Sequence, residues 1–439
     1  MWWRADWVRR AAPHAERGVI ERLARERRWR KLVNYLWVET LMARGSRRLW
    51  GGKPYWLTID PTNFCQLQCP FCPTGANRGV RDKANMTLEH FTSFMETVGP
   101  TAIHVDFMNW GESLLNKSLP EMIACAKTHG AEVKLDANFN DVSPETLERL
   151  VLSRLDVLSL SIDGLTQETY ERYRKAGRLD KVLANLEKLV ETRERLRSAT
   201  PRVIWQFLVF RHNEHEVPMV EAFAKEKGVD HVSLVAPFLP NEPGYLWHWS
   251  ARNPEYQMYK LPADAPPEKE LERVASDPHA KKTPSTLAFH ARRFTPRQAL
   301  TPGAILASFS GVRGLAEAKR ALKRLARAAA ASRRAGAVPF QKAAERPICK
   351  WPWAGMALNP DGSASPCCSV EDQSDDFGNV FKQGWSSLWN GKNYRKARAH
   401  VARTMKGKAA PIADSDHVCE RCTAIGYANF RFPAGWEDK

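Results

Sequence analysis

Between residues 20 and 41, Ile20, Leu23, Trp29, Leu32, Val33, Leu36, Trp37 and Leu41 recur near helical spacing, with Arg22, Arg25, Arg27, Arg28, Arg30 and Lys31 among them. That pattern predicts a basic amphipathic helical segment over residues 1–50. From Tyr55 the rhythm changes. Short apolar runs at 56–60, 103–108, 132–137, 157–162, 203–210 and 231–235 alternate with helical patterns at 87–98, 119–129, 144–152, 167–197 and 216–227. Thr87 is placed to cap one helix, and Gly130 and Gly228 to close two others. Six strands separated by helices predict parallel βα units over 51–238. Prolines then punctuate 239–345, a loop-rich insertion that holds a further basic helix over 314–331. A C-terminal segment, 346–439, completes the division.

Composition narrows the partners. With 439 residues, 43% of them hydrophobic, the chain is long enough for a real core. No run approaches the roughly 18 apolar residues of a membrane span, and early charges interrupt any signal-peptide core. The net charge of +17 points to an anionic partner. Charge alone does not choose between nucleic acid, phospholipid surface and phosphorylated metabolite. The basic N-terminal helix can pack on the βα domain as a cover or make peripheral contact with an anionic membrane. Nine cysteines at uneven spacing do not form a secreted disulfide framework and place the chain in a reducing cytoplasm.

The chemistry centres on Cys65, Cys69 and Cys72, spaced C-x3-C-x2-C just after the first strand. Three soft thiolates this close can grip three irons of a cubane cluster, and with the next cysteine only at Cys125 the fourth iron stays open. A zinc knuckle is the alternative, and would ask for a fourth nearby ligand. The spacing, with aromatic Phe71 before the last cysteine, resembles the signature of the radical S-adenosylmethionine (radical SAM) superfamily. That resemblance implies an α/β fold, an open partial (β/α)6 TIM-like barrel, with a SAM-binding 4Fe-4S cluster at its C-terminal rim. It also implies that S-adenosyl-L-methionine chelates the open iron and is cleaved to a 5'-deoxyadenosyl radical. Asn109-Trp110-Gly111-Glu112-Ser113 resembles the family's Gly-Glu-Pro motif, with Ser113 in place of proline. By that resemblance Gly111 lets backbone approach SAM, and Glu112 accepts from its ammonium group. Asn138, Ser161, Asp163 and Arg174 fall on the same rim, where related enzymes bind the ribose and carboxylate of SAM.

A second cysteine set reads C-x12-G-x4-C from Cys349 through Gly362 to Cys367, followed by the pair Cys419 and Cys422. Asp361-Gly362 is a strong hairpin turn, so Cys349 and Cys367 can come from facing strands. Four cysteines around a hairpin also describe a zinc ribbon. The set resembles the SPASM/twitch extension of radical SAM enzymes, a β-hairpin/helix auxiliary iron-sulfur domain holding an auxiliary 4Fe-4S cluster. Cys368 points to the opposite face from Cys367, as a buried thiol, an alternative ligand or a hydrogen-atom donor. Cys125, among Met122, Ile123 and Ala126, reads as core.

Together these resemblances imply a radical SAM oxidoreductase that abstracts a substrate hydrogen and passes an electron to the auxiliary cluster, for dehydrogenation or crosslinking. Epimerisation, or maturation of a ribosomal peptide or protein, is the alternative within the superfamily. A non-catalytic, metal-stapled nucleic-acid-binding protein is the alternative outside it, and polar residues converging on one sheet edge count against it. The expected partners are an unidentified substrate (small anionic molecule, glycan or peptide), a flavodoxin- or ferredoxin-type electron donor and an anionic membrane surface. No separate peptide-binding domain is read before the barrel, which favours a small anionic or membrane-linked substrate.

Overall fold

The six predicted strands form in a computed structural model that describes residues 12, 15–239, 242–257, 261, 264–276, 349–412 and 414–422. They are β1 (Trp56–Ile59), β2 (His104–Phe107), β3 (Glu132–Ala137), β4 (Val157–Ser161), β5 (Arg202–Leu208) and β6 (His231–Val235). Two helices precede them, α1 (Arg17–Arg25) and α2 (Trp29–Ala43). The crossovers are α3 (Leu88–Val98), α4 (Leu119–Thr128), α5 (Pro144–Leu152), α6 (Gln167–Tyr173) with α7 (Leu179–Arg195), and α8 (Val217–Glu226). After β6 come α9 (Pro243–Trp249) and α10 (Glu268–Ser276). The basic helix expected over 314–331 lies outside the described residues.

All neighbouring pairs from β1 to β6 are parallel, as right-handed βα crossovers dictate. The sheet does not stop at six strands. The C-terminal segment contributes β7 (Gly355–Leu358), which pairs parallel to β1 in the register Trp56↔Gly355 to Ile59↔Leu358. From β7 the chain turns through Asp361 and Gly362, the latter at φ 84, into the antiparallel β8 (Ala364–Ser365). The order is therefore β6-β5-β4-β3-β2-β1-β7-β8, an open partial barrel whose seventh parallel strand comes from the hairpin expected to stand apart. Every residue of β7 is buried, so it lacks the alternation that marks a half-exposed strand. Helices α11 (Lys392–Met405) and α12 (Val418–Arg421) follow.

Polarity divides the sheet's two faces. Along β3, Val133, Leu135 and Ala137 are buried, while Glu132, Lys134 and Asp136 alternate with them on the barrel's inner face. On β2, Asp106 accepts from Trp56 Nε1 at 2.7 Å and lies 2.6 Å from His104 Nε2; Lys134 pairs with Asp136 at 2.7 Å. The inner face is thus lined with charge.

Helix α2 closes the opposite end from the site. Twelve of its fifteen residues are buried. Lys31 Nζ donates to the carbonyls of Ala102 and Gly130, just ahead of β2 and β3. Of the two roles open to the basic N-terminal helix, the structure gives α2 the one of cover. No helix among the described residues is long and apolar enough to cross a membrane. Beneath α2, the buried Glu39 carboxylate accepts from Tyr55 Oη at 2.6 Å and meets Lys350 Nζ at 3.5 Å. Burial raises the Glu39 pKa, and the nearby Lys350 cation opposes that rise. The pair ties the N-terminal cover to the start of the C-terminal segment. Replacing Lys350 by Met is expected to cost about 3 kcal/mol, because it strands a buried carboxylate. Urea unfolding of the two proteins measures this, and an unchanged midpoint would refute it.

Candidate functional site

The cysteine loop leaves β1 through Asp60, which is fully buried. The Asp60 carboxylate accepts from the amides of Trp110 and Gly111, each at 3.3 Å, fastening the loop after β2 onto the end of β1. Burial pushes Asp60 up to about 7, and the two amides pull it back. The amide of Glu112 donates to the Phe64 carbonyl at 2.8 Å, adding a second tie between these loops. No side chain fits at position 111, since a Cβ there would stand 1.6 Å from the Thr62 carbonyl oxygen. Glycine is required by this contact.

Cys65, Cys69 and Cys72 come together at the rim. Burial pushes Cys65 up to about 12, and the nearby Glu112, Cys69 and Cys72 add to the rise. Cys69 is raised to about 11 by burial, against the pull of Arg174, whose Nη1 lies 3.9 Å from its sulfur. The loop is cross-braced: Gln68 N donates to Lys175 O at 2.9 Å, and Cys72 N to Cys69 O at 3.2 Å. Buried thiols held this close are poor at ionising unless a soft metal centre takes their charge. The donor set therefore suits an iron-sulfur centre.

Most other sequence-predicted residues join this cluster of contacts. Glu112 is buried, accepts from Asn138 N at 2.7 Å and Leu114 N at 3.3 Å, and is raised to about 7 by desolvation. The Asn138 side-chain amide reaches toward Cys65 Sγ at 3.7 Å and accepts from Gln66 Nε2 at 3.1 Å. Asp163 is fully buried with both oxygens engaged, one by Arg174 Nε at 2.6 Å and the other by Leu208 N at 2.7 Å. Its contact is with Arg174, which it aims at Cys69. Ser161 ends β4, half-buried, two residues before Asp163.

The reading from sequence missed an aromatic wall. Phe71 packs with Tyr173, Tyr245 and Trp249 at ring-centroid distances of 6.1, 6.1 and 5.1 Å. Tyr245 and Trp249 lie on α9, inside what looked like a loop-rich insertion; the clustered aromatics of Tyr245-Leu246-Trp247-His248-Trp249 were the available signal. Asp60 was missed too, as an ordinary strand exit.

The second cysteine set also assembles. Burial raises Cys419, and Cys367, Cys349 and Cys422 raise it further; Cys349 is raised by burial to about 12, with Cys422 adding to the rise. Burial brings Cys368 to about 11; the Asp106 carboxylate, and more weakly Asp136, add to its rise, and Cys368 is in turn the first charge influence on Cys367, ahead of Cys422 and Cys349. Among the described residues no three His, Cys, Asp or Glu side chains converge on a single metal ion. The two centres are stitched together: Arg81 is bidentate to Asp376 at 2.7 and 3.0 Å, Arg78 pairs with Glu371 at 2.8 Å, and Trp110 Nε1 donates to Val370 O at 2.9 Å.

Residues 59–201 match the radical SAM superfamily, and residues 349–423 match SPASM, an iron-sulfur cluster-binding domain. A probable GTP 3',8-cyclase of Methanocaldococcus jannaschii is 26% identical over 185 residues, 42% of this chain and 59% of that protein. An AdoMet-dependent heme synthase of Methanosarcina barkeri is 26% identical over 187 residues, 42% of this chain and 51% of the relative. A mycofactocin maturase of Mycobacterium ulcerans is 26% identical over 136 residues, 31% of this chain and 36% of the relative. The chain thus spans between 36% and 59% of the length of these curated relatives. Among solved structures, Streptococcus suis SuiB bound to S-adenosylmethionine aligns with a TM-score of 0.46 at 14% identity, over 81% of this chain and 68% of that one.

Two outcomes follow from the loop contacts. In Gly111→Ala the added methyl pushes the loop after β2 off the cysteine loop. Misplacement of about 1 Å at a reacting centre costs on the order of a hundredfold, so reductive SAM cleavage should fall by at least that factor, measured as 5'-deoxyadenosine by chromatography. Glu112, raised to about 7 by burial, gains its negative charge as pH rises through that value. SAM affinity measured by calorimetry should therefore strengthen between pH 6 and pH 8, and Glu112→Gln should remove most of that pH dependence.

Proposed function

From a chain that carries a radical SAM domain followed by a C-terminal SPASM domain, we infer an enzyme that oxidises its substrate by hydrogen abstraction. Its cofactors are S-adenosyl-L-methionine and 4Fe-4S clusters. When bound, they supply a 5'-deoxyadenosyl radical able to take hydrogen from an unactivated carbon. Cys65, Cys69 and Cys72 would hold the SAM-binding cluster, leaving one iron for SAM. Gly111 admits the ligand close to backbone and Glu112 accepts from its amino group. Arg174, aimed by Asp163, offsets negative charge beside Cys69. Asn138 and Ser161 supply polar groups on the same rim. The wall of Phe71, Tyr173, Tyr245 and Trp249 keeps water from the loop, as a reactive intermediate requires.

The observation that carries the oxidative reading is the grouping of Cys349, Cys367, Cys419 and Cys422, each raised by burial and, among them, by one another. Four thiols complete the ligation of one auxiliary cluster without needing the substrate, which suits it to accept an electron. Dehydrogenation or crosslinking is the outcome. Each acid on the sheet's inner face already has a partner, Asp106 with His104, Asp136 with Lys134 and Glu132 with Arg22 of α1. The family match favours the enzyme over a non-catalytic nucleic-acid-binding scaffold.

Peptide or protein maturation is a second reading, favoured by the mycofactocin maturase among the relatives. Within it, Cys368, within electrostatic reach of Asp106 and Asp136, would be the thiol that returns a hydrogen atom in an epimerisation.

Two variants separate these outcomes. Cys367→Ala should lower the iron content from about two four-iron clusters per chain to about one, keep 5'-deoxyadenosine formation, and abolish the oxidised product. Cys368→Ala should leave oxidation in place. Loss of product in Cys368→Ala with both clusters retained would instead favour epimerisation. Mass spectrometry of candidate substrates in deuterated buffer reads both.

A further inference from the structure

Two nitrogen donors are aimed at the sulfurs of the cysteine loop, and other residues hold each of them there. Asn138 follows β3 and is 6% exposed, with its Nδ2 3.7 Å from Cys65 Sγ. Its Oδ1 accepts from Asn140 N at 3.1 Å, Gln66 Nε2 at 3.1 Å and Asn140 Nδ2 at 3.3 Å. A backbone amide only donates, so the bond from Asn140 N fixes which end of the Asn138 amide is oxygen. The nitrogen is left to face the sulfur. Gln66 Oε1 accepts from the Cys65 thiol at 3.9 Å and from Asn138 Nδ2 at 3.5 Å. Asn140 is anchored in turn by its Nδ2 on Tyr170 Oη at 3.0 Å.

The second donor is charged. Arg174 Nη1 lies 3.9 Å from Cys69 Sγ, while Arg174 Nε donates to the buried Asp163 at 2.6 Å. The other Asp163 oxygen accepts from Leu208 N at 2.7 Å, so the guanidinium is fixed from behind. The resemblance assigned Asn138 and Arg174 to the ribose and carboxylate of SAM. In the fold the Asn138 oxygen already has three donors and Arg174 Nε already has its carboxylate. The N–H groups that these residues turn toward the cysteine loop end on sulfur.

We propose that Asn138 and Arg174 set the reduction potential of the centre held by Cys65, Cys69 and Cys72, by donating hydrogen bonds to two of its three thiolates. The proposal rests on the assignment of those thiols to the SAM-binding cluster, made above. Reduction adds one electron from an external reductant and breaks no bond of the protein. The added charge spreads onto the sulfurs, so a donor aimed at them stabilises the reduced form more than the oxidised one. Burial keeps water from screening that effect. Both residues therefore raise the potential, and the centre accepts its electron from a weaker reductant than it otherwise could. They are positioning residues that act through Cys65 and Cys69.

The test is a potentiometric titration of the reconstituted full-length enzyme with dithionite, followed by electron paramagnetic resonance. The signal that changes when SAM is added to a parallel reduced sample identifies the centre. The titration itself is run without SAM, which separates an effect on the cluster from one on SAM contact. In Asn138→Leu the reduction equilibrium should weaken at least about tenfold, a midpoint lower by about 59 mV for one electron. Arg174→Gln should lower it at least as far, because a charged donor is the stronger one. Where leucine prevents iron loading, Asn138→Ala removes the same donor without crowding the loop and is read in its place. A residue with a merely structural role would cost iron content and leave the midpoint of the remaining centres where it was. An unmoved or raised midpoint at either position thus overturns the proposal and leaves the thiol assignment intact. Absence of any SAM-sensitive signal in the unsubstituted enzyme defeats that assignment, and the proposal with it.

Discussion

The site depends on a buried carboxylate that bonds to backbone. Asp60 ends the first strand in a fully desolvated position, and two amides of the loop after β2 compensate it. A carboxylate left unpaired there would cost several kcal/mol, so the two loops move as one body or the pairing is lost. Glu112 repeats the device one step along the rim, accepting from the amide of Asn138 after β3. Asp163 repeats it again, between Arg174 and the end of β5. Loops are ordinarily the mobile part of a βα fold. Here three buried acids convert loop into scaffold, and the thiols inherit that rigidity.

The second consequence concerns the distance between the two cysteine sets. Because β7 pairs with β1, the strand that delivers Cys65 and the strand that leads toward Cys367 share one hydrogen-bonded ladder. Arg78, Arg81 and Trp110 then bind the cysteine-loop side to the segment after β8. Electron exchange between two centres depends steeply on their separation, and a shared sheet with buried ion pairs holds separation better than a linker between domains. The inner face of the same sheet carries Asp106 and the Lys134–Asp136 pair, with Cys368 within their electrostatic reach.

Much of this was legible in the residues. The C-x3-C-x2-C spacing, the order of strands and helices, the Gly-Glu pair and the four further cysteines are local patterns, and local patterns survive in a linear string. The helix cap at Thr87, whose side chain accepts from His90 N, is of the same kind. Where burial alone decided the outcome, the string was less informative. β7 carries no alternation because both its faces are covered, and α9 was hidden by the prolines around it. The polar alternation of Glu132, Lys134 and Asp136, unusual in a parallel strand, was a visible sign of a charged barrel interior that sequence reasoning passed over.

The chain by itself determined the chemistry on offer: which thiols are close in sequence, which strands alternate with helices, and where glycine leaves room. Only tertiary structure decided that Asp163 is spent on Arg174 and that the C-terminal hairpin extends the barrel sheet. Those outcomes turn on which face of a strand is covered and on which buried charge finds a partner. Both are properties of residues far apart in the chain, and neither is encoded at any single position.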